Sequence, residues 1–302
     1  MKLYIAGPIT GMKDWNFPAF FEAEAELENL GYSVINPVRS DGNTVEEALA
    51  TVGTLENPTE KWEFYLRRDL KQLLNCAGIV LLPGWQKSKG ARLEVHIAKQ
   101  LKMSLFILRD GKLAPRINCI GLSGYAQSGK DTVAEVLVEN FGYKKLAFAD
   151  GIRNALLALN PRIEVSGMPM KLHSAVQSFG WEFLKREDTG VRELLQRFGT
   201  EVGRELIDQN IWVDLAIDSA PDGSLVVFSD VRYPNELKAI RAAGGTVWRV
   251  NRPDVTALND HESEHALKDY KFDLQINNVD TVDFLQDIVS TIMKENRHLW
   301  KI

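Results

Sequence analysis

The chain has 302 residues, about twice an ordinary domain, so two domains are expected, and a hydrophobic content of 45% suffices for two cores. A net charge of −5 gives no bulk attraction to nucleic acid, the sequence shows no local basic patch to replace it, and no apolar stretch approaches transmembrane length. Cys76 and Cys119, at the edges of apolar runs and without metal-ligand spacing, read as buried thiols of a reducing cytosol.

Met1-Lys-Leu-Tyr-Ile-Ala-Gly enters a strand at once and leaves no export leader, so a cytoplasmic location is expected. Lys2–Ala6 is a strand, Phe17–Leu30 an amphipathic helix and Ser33–Ile35 a second strand. Arg39–Trp62, rich in Gly, Asn, Thr, Pro and Glu, reads as a long functional or disordered loop with room for one helical turn. Helix Tyr65–Leu74, strand Gly78–Leu82, helix Gly90–Leu101 and strand Leu105–Leu108 follow, an alternation that implies a parallel sheet with right-handed crossovers. The polar segment Arg109–Arg116 has turn residues and no periodicity and reads as a linker, dividing the chain into 1–112 and 117–302.

Downstream the alternation restarts with strand Cys119–Leu122 and helix Thr132–Asn140. Ala149–Leu215 lacks strand signals and reads as helical, clearest at Arg192–Phe198 and Trp212–Ile217. Strand Leu225–Phe228, helix Pro234–Ala243, strands Thr246–Val250 and Asp273–Ile276, and helix Val282–Lys294 complete the chain.

Between the first strand and helix of this half stands Gly124-Tyr-Ala-Gln-Ser-Gly-Lys130, the spacing of a phosphate-binding loop. Gly124 and Gly129 let backbone N–H groups wrap a polyphosphate, Ser128 lies within the wrap, and Lys130 reaches the β/γ-phosphates. Asp131 replaces the usual Ser or Thr, and Thr132 follows. Phosphoryl transfer needs a second acid near the metal, for which Asp230, at the end of Leu225–Ser229, is the candidate; a helix N-cap is its other reading. Cations must also cover the developing charge. Arg197 and Arg204 flank Gly199–Gly203, Arg232 neighbours Asp230, and Arg252 precedes Pro253.

In the first half, Leu81-Leu-Pro-Gly-Trp-Gln-Lys-Ser-Lys-Gly-Ala-Arg-Leu-Glu94 runs from a strand end into a helix bearing a carboxylate. Ser88, Gly90 and the helix N-terminus suit an anion such as a 5′-phosphate, and Glu94 would point into the strand-end crevice. A solvent-facing carboxylate favoured by the helix dipole is the other reading of Glu94.

The ordered set Gly124–Thr132, Leu195–Arg204, Asp230–Glu236, Arg252-Pro253 and His261–Glu264 resembles bacteriophage deoxynucleoside monophosphate kinases over residues 117 to 300. Tyr4–Pro8, Asn16–Phe20, Asn36-Pro37, Arg68-Asp69 and Ser88-x-Gly-x-x-x-Glu94 resemble the nucleoside 2-deoxyribosyltransferase superfamily, which includes 2′-deoxynucleoside 5′-phosphate N-hydrolases, over residues 1 to 110. The resemblances imply an α/β protein of two domains: a Rossmann-like (flavodoxin-like) parallel sheet, then a P-loop kinase parallel sheet with a helical lid region.

The first resemblance implies transfer of the ATP γ-phosphate to a deoxynucleoside monophosphate, with Mg²⁺ near Asp131, Thr132 and Asp230. The second implies that Glu94 attacks C1′ of the deoxyribose, that Asp69 helps protonate or hold base or sugar, and that Tyr4, Gly7 and Ser88 form the pocket floor and phosphate site. It also implies a homo-oligomer. The competing readings are a kinase regulated by a nucleotide-binding or oligomerising first domain, and a kinase acting on modified bases in DNA. The expected partners are small nucleotides, with neither membrane nor nucleic acid among them.

Overall fold

A computed structural model describes residues 1–53, 58–187, 189–256 and 266–295, with side chains at all of these except 52, 53, 58–62, 187 and 189. The chain divides into two compact units: Met1–Ile117 with Ala242–Gly244, and Asn118–Arg241 with Gly245–Ile302.

In the first unit, β1 (Lys2–Ala6), β2 (Ser33–Ile35), β3 (Gly78–Leu81), β4 (Ser104–Arg109) and β5 (Lys112–Pro115) form one sheet in the order β2-β1-β3-β4-β5. The first four are parallel and β5 is antiparallel to β4. Segment 109–116 is therefore a hairpin and not a linker: Asp110 and Gly111 take φ values of 50° and 67°, the two-residue turn that matches strand twist. The helices are α1 (Phe17–Asn29), α2 (Val45–Gly53), α3 (Pro58–Leu73) and α4 (Lys89–Gln100).

The long loop expected over 39–62 is also corrected, since α2 and the start of α3 lie within it. Thr44 Oγ1 accepts the Glu47 N–H at 3.2 Å while Glu47 Oε2 accepts the Asn43 N–H at 2.8 Å, a reciprocal capping arrangement that satisfies donors left open at a helix start. One cluster, with Leu3, Ile5, Phe17, Phe20, Leu27 and Val80, fills one side of the sheet. A second, with Tyr4, Leu73, Ile79, Leu81, Trp85 and Val95, fills the other.

In the second unit, β6 (Asn118–Ser123), β7 (Lys144–Leu146), β10 (Leu225–Phe228), β11 (Thr246–Asn251) and β12 (Leu274–Asn277) form a wholly parallel sheet in the order β12-β11-β6-β10-β7. Helices α5 (Lys130–Phe141) and α11 (Val282–Glu295) pack Val133, Leu137, Leu285 and Val289 against Leu122, Trp248 and Ile276. Between α6 (Ala149–Leu159) and α7 (Leu172–Glu187) lies a hairpin, β8 (Arg162–Val165) and β9 (Met168–Lys171). It corrects the all-helical reading of 149–215, and Ser166-Gly167 supplies its turn with φ of 52° and 78°. The hairpin has a core of its own, in which Val165, Ala175, Leu184 and Val191 are buried.

Helix α8 (Thr189–Arg197) runs into a wide π-helical stretch, Phe198–Ile207, followed by α9 (Ile211–Ser219); α10 is Pro234–Ala242. The indole N–H of Trp212 donates to the Gly199 carbonyl at 2.8 Å, and the ring lies over Gly203, where a Cβ would come within 2.4 Å. Gly203 thus admits the ring, and the ring takes the Gly199 carbonyl, which would otherwise seek a partner along the helix.

Candidate active sites

Both sheets reverse their winding beside their first strand, and ligands of open α/β sheets bind beyond the carboxyl ends of the strands at that reversal. In the first unit the point lies between β1 and β3. Their ends approach so closely that a Cβ on Gly7 would sit 2.9 Å from Leu82 Cβ.

Tyr4, on β1, donates its hydroxyl to Glu94 Oε1 at 2.7 Å, so Glu94 points inward from α4. Glu94 is 7% exposed and Asp69, on α3, is 9% exposed. Burial raises the Glu94 carboxyl to about 7, against the Tyr4 hydrogen bond and with help from the Asp69 charge. Burial likewise raises Asp69 to about 6, opposed by Arg68. Tyr4 itself is raised by burial and by the two carboxylates. The solvent-facing reading of Glu94 is thereby overturned.

Ser88 caps α4, its Oγ accepting the Ala91 N–H at 3.3 Å. Gly90 is less constrained, since an added Cβ there would meet nothing nearer than Ser88 Oγ at 4.0 Å. Asp41 lay outside the sequence-based site, and Arg68 entered it only as the neighbour of Asp69, with no role of its own. Arg68 binds Asp69 at 3.0 Å and Asp41 at 2.8 Å, and no spacing rule links Asp41 to an arginine 27 residues later.

In the second unit the loop after β6 is shaped for phosphate. Gly124 and Gly129 hold φ of 146° and 103°. A Cβ on Gly124 would lie 2.4 Å from the Val250 carbonyl oxygen, and one on Gly129 would lie 2.7 Å from Asn278 Nδ2. Ser128 Oγ is buried with no hydrogen-bond partner, and Lys130 Nζ donates to the Tyr125 carbonyl at 2.6 Å. Asn278, just past the end of β12, donates to the Ser128 carbonyl at 3.0 Å and props the loop.

Asp131 is exposed and pairs with Lys145 of β7 at 2.6 Å; Thr132 is half-buried on the same helical turn. Asp230 accepts the N–H groups of Phe148 at 2.8 Å and Ala149 at 3.0 Å, so it caps α6 and not the helix that follows it in sequence. Burial raises its carboxyl, and those two bonds oppose the rise. Asp150, also missed by the sequence reading, accepts the Ala147 N–H at 2.9 Å and pairs with Arg153 at 3.1 Å beside it.

The arginines divide. Arg204 is nearly buried, donates to Glu236 at 2.6 Å and stacks over Tyr233 with its guanidinium carbon 4.0 Å from the ring centre. Glu236 in turn accepts the N–H groups of Arg232 at 2.7 Å and Tyr233 at 3.0 Å, so Arg204 secures the Asp230 loop. Arg197 is exposed and pairs with Glu201 at 3.0 Å along its own helical segment. Arg232 and Arg252 are exposed at the ends of β10 and β11. His261–Glu264 lies outside the described residues.

A parallel sheet with a glycine-cradled loop leading into a helix defines the second unit as a nucleotide-binding P-loop fold. Residues 170–289 match the family described as Deoxynucleotide monophosphate kinase, and residues 1–107 match a Domain of unknown function (DUF4406). A putative deoxynucleotide monophosphate kinase of Acanthamoeba polyphaga mimivirus is 28% identical over 195 residues, 57% of this chain and 95% of the relative. The deoxynucleotide monophosphate kinase of Escherichia phage RB69 is 30% identical over 109 residues, 34% of this chain and 45% of the relative. Among solved structures, a dephospho-CoA kinase from Campylobacter jejuni is similar over 60% of this chain and 97% of that one, at 14% identity and a TM-score of 0.32. The family and sequence matches support the kinase reading of the second unit; for residues 1–107 they name no activity. No helix among the described residues is long and apolar enough to cross a membrane.

Proposed function

We propose that the chain is a bifunctional enzyme of deoxynucleotide metabolism. The second unit transfers the γ-phosphate of ATP to a deoxynucleoside 5′-monophosphate, giving the diphosphate. The observation that carries this is the loop at 124–130, whose Gly124 and Gly129 hold positive φ packed against Val250 and Asn278 and which contains the buried, unpartnered Ser128 hydroxyl, within a chain that matches deoxynucleotide monophosphate kinases. The acceptor phosphate is already a nucleophile at pH 7, so the protein has chiefly to align it and stabilise charge. Lys130 covers the β/γ-phosphates. Asp230 orders the start of α6, where Asp150 and Arg153 meet, and Arg232 supplies a guanidinium for the acceptor.

The residues suit Mg²⁺ held largely by phosphate oxygens and water: no group of three or more His, Cys, Asp or Glu gathers among the described residues, and Mg²⁺ in such sites takes only one or two carboxylates. Asp131, Thr132 and Asp230 would hold it, and it would neutralise the negative charge that develops on the transferred phosphoryl group. The site accepts free nucleotide and not DNA, in keeping with the acidic chain.

The first unit cleaves or exchanges the N-glycosidic bond of a deoxynucleoside 5′-monophosphate. Glu94 attacks C1′, the bond to the base breaks with Asp69 supplying a proton to the leaving base, and the sugar phosphate is held as an ester of Glu94. Water then releases 2-deoxyribose 5-phosphate, or a second base takes its place. Tyr4 keeps Glu94 Oε1 oriented during attack. A buried Glu94–Asp69 pair floored by Tyr4 supports this reading, and we assign the active form to a homo-oligomer.

One experiment tests both halves: each deoxynucleoside monophosphate is incubated with and without ATP and Mg²⁺, and diphosphate and free base are read together. Diphosphate from at least one substrate, lost in Lys130→Ala, is expected. Free base without ATP, lost in Glu94→Ala, is expected of the first unit; no base from any substrate would refute that half.

A further inference from the structure

Arg68 is engaged along both edges of its guanidinium. Nε binds Asp69 Oδ1 at 3.0 Å; Nη1 binds Asp41 Oδ1 at 2.8 Å; Nη2 reaches the Pro37 carbonyl at 3.2 Å; and the guanidinium carbon lies 4.7 Å from the centre of the Tyr65 ring. Consecutive helix residues point in different directions and do not ordinarily face each other, so an ion pair between positions 68 and 69 needs outside support. Asp41, Pro37 and Tyr65 supply it. A planar, forked cation suits this task, because it can grip two carboxylates at fixed angles where an ammonium would act as a point charge.

We propose that Arg68 is a positioning residue of the first site, fixing Asp69 Oδ1 on one edge and the 37–41 segment on the other, so that the acid meets the leaving base in a single orientation. The inference rests on the glycosidic reading of that site. The charged and titratable groups facing Asp69 are Tyr4 from β1, Asp41 from that segment, Tyr65 and Arg68 from α3, and Glu94 from α4. Arg68 favours the ionised acid and Asp41 disfavours it, so removing each should shift Asp69 in opposite directions, which a merely structural role would not do.

The test is a carboxyl-carbon NMR titration of Asp69 in the full-length protein, assigned with Asp69→Asn, run beside the pH profile of base release. Arg68→Met should raise the Asp69 pKa by about 1–3 and carry the alkaline limb upward with it. It should lower kcat on the order of 10- to 100-fold with a smaller change in KM. Asp41→Asn should lower the Asp69 pKa. Arg68→Lys should restore the titration and only part of kcat. An unchanged Asp69 pKa in Arg68→Met, or shifts of the same sign in Arg68→Met and Asp41→Asn, would overturn the proposal. If Arg68→Met does not fold, Arg68→Lys and Asp41→Asn decide it. A wild-type protein that releases no base refutes the glycosidic reading alone, because the titration judges the Arg68 placement without turnover.

Discussion

Glu94 and Asp69 are two buried carboxyls whose proton affinities lie close together, about 7 and about 6. In the proposed glycosidic reaction, nucleophilic attack needs Glu94 ionised and departure of the base needs Asp69 protonated. Base release should therefore fall below pH 6 as Glu94 holds its proton, fall above pH 7 as Asp69 loses its own, and peak between them; a rate profile still rising at pH 8 would exclude these roles. The same burial has a cost in stability. A carboxyl raised from 4.5 to about 7 on folding contributes stability that is complete below pH 4.5 and lost as pH rises through 7. Glu94→Gln removes that loss while leaving an acceptor for the Tyr4 hydroxyl. It should stabilise the protein by about 3 kcal/mol at pH 8 and by almost nothing at pH 4, as measured by denaturant unfolding, at about 1.4 kcal/mol for each tenfold change in affinity.

At the scale of elements, strong local signals were legible where the periodicity was long, as in α1, α4, α5 and α11. The elements that sequence reading lost were short and began at a device rather than at a pattern. Asp110-Gly111 and Ser166-Gly167 each close a hairpin through two residues of positive φ, yet the first resembled a linker and the second sat in a helical context. Thr44-Val-Glu-Glu47 announced α2 within what read as loop. The π-helical stretch depends on a side chain from the next helix, Trp212, so no local pattern could reveal it. Gly203→Ala would drive a Cβ into the indole and displace it from the Gly199 carbonyl. A loss of roughly 1–3 kcal/mol is expected from overpacking, visible as a lower unfolding temperature with altered tryptophan fluorescence. Wild-type stability in that variant would show that the ring does not hold the stretch.

At the scale of the whole molecule, each unit has its own sheet, its own winding reversal and its own reactive groups. Lys130→Ala should abolish diphosphate formation and leave base release within about twofold, and Glu94→Gln should do the reverse; joint loss in either variant would show that the two chemistries are coupled. The sequence alone determined most of the alternation of strands and helices and the spacing of the phosphate loop with Lys130, because these are carried within one segment, whereas Tyr4, Asp69 and Glu94 entered as site candidates through motifs scattered over three elements. Tertiary structure alone decided which groups the carboxylates meet. Tyr4 meets Glu94 across 90 positions, Asp41 meets Arg68 across 27, and Asp230 caps a helix that begins about 80 residues earlier. Such pairings are made by sheet order and crossover, and their protonation by the burial that folding imposes, and neither quantity is written in any local run of residues.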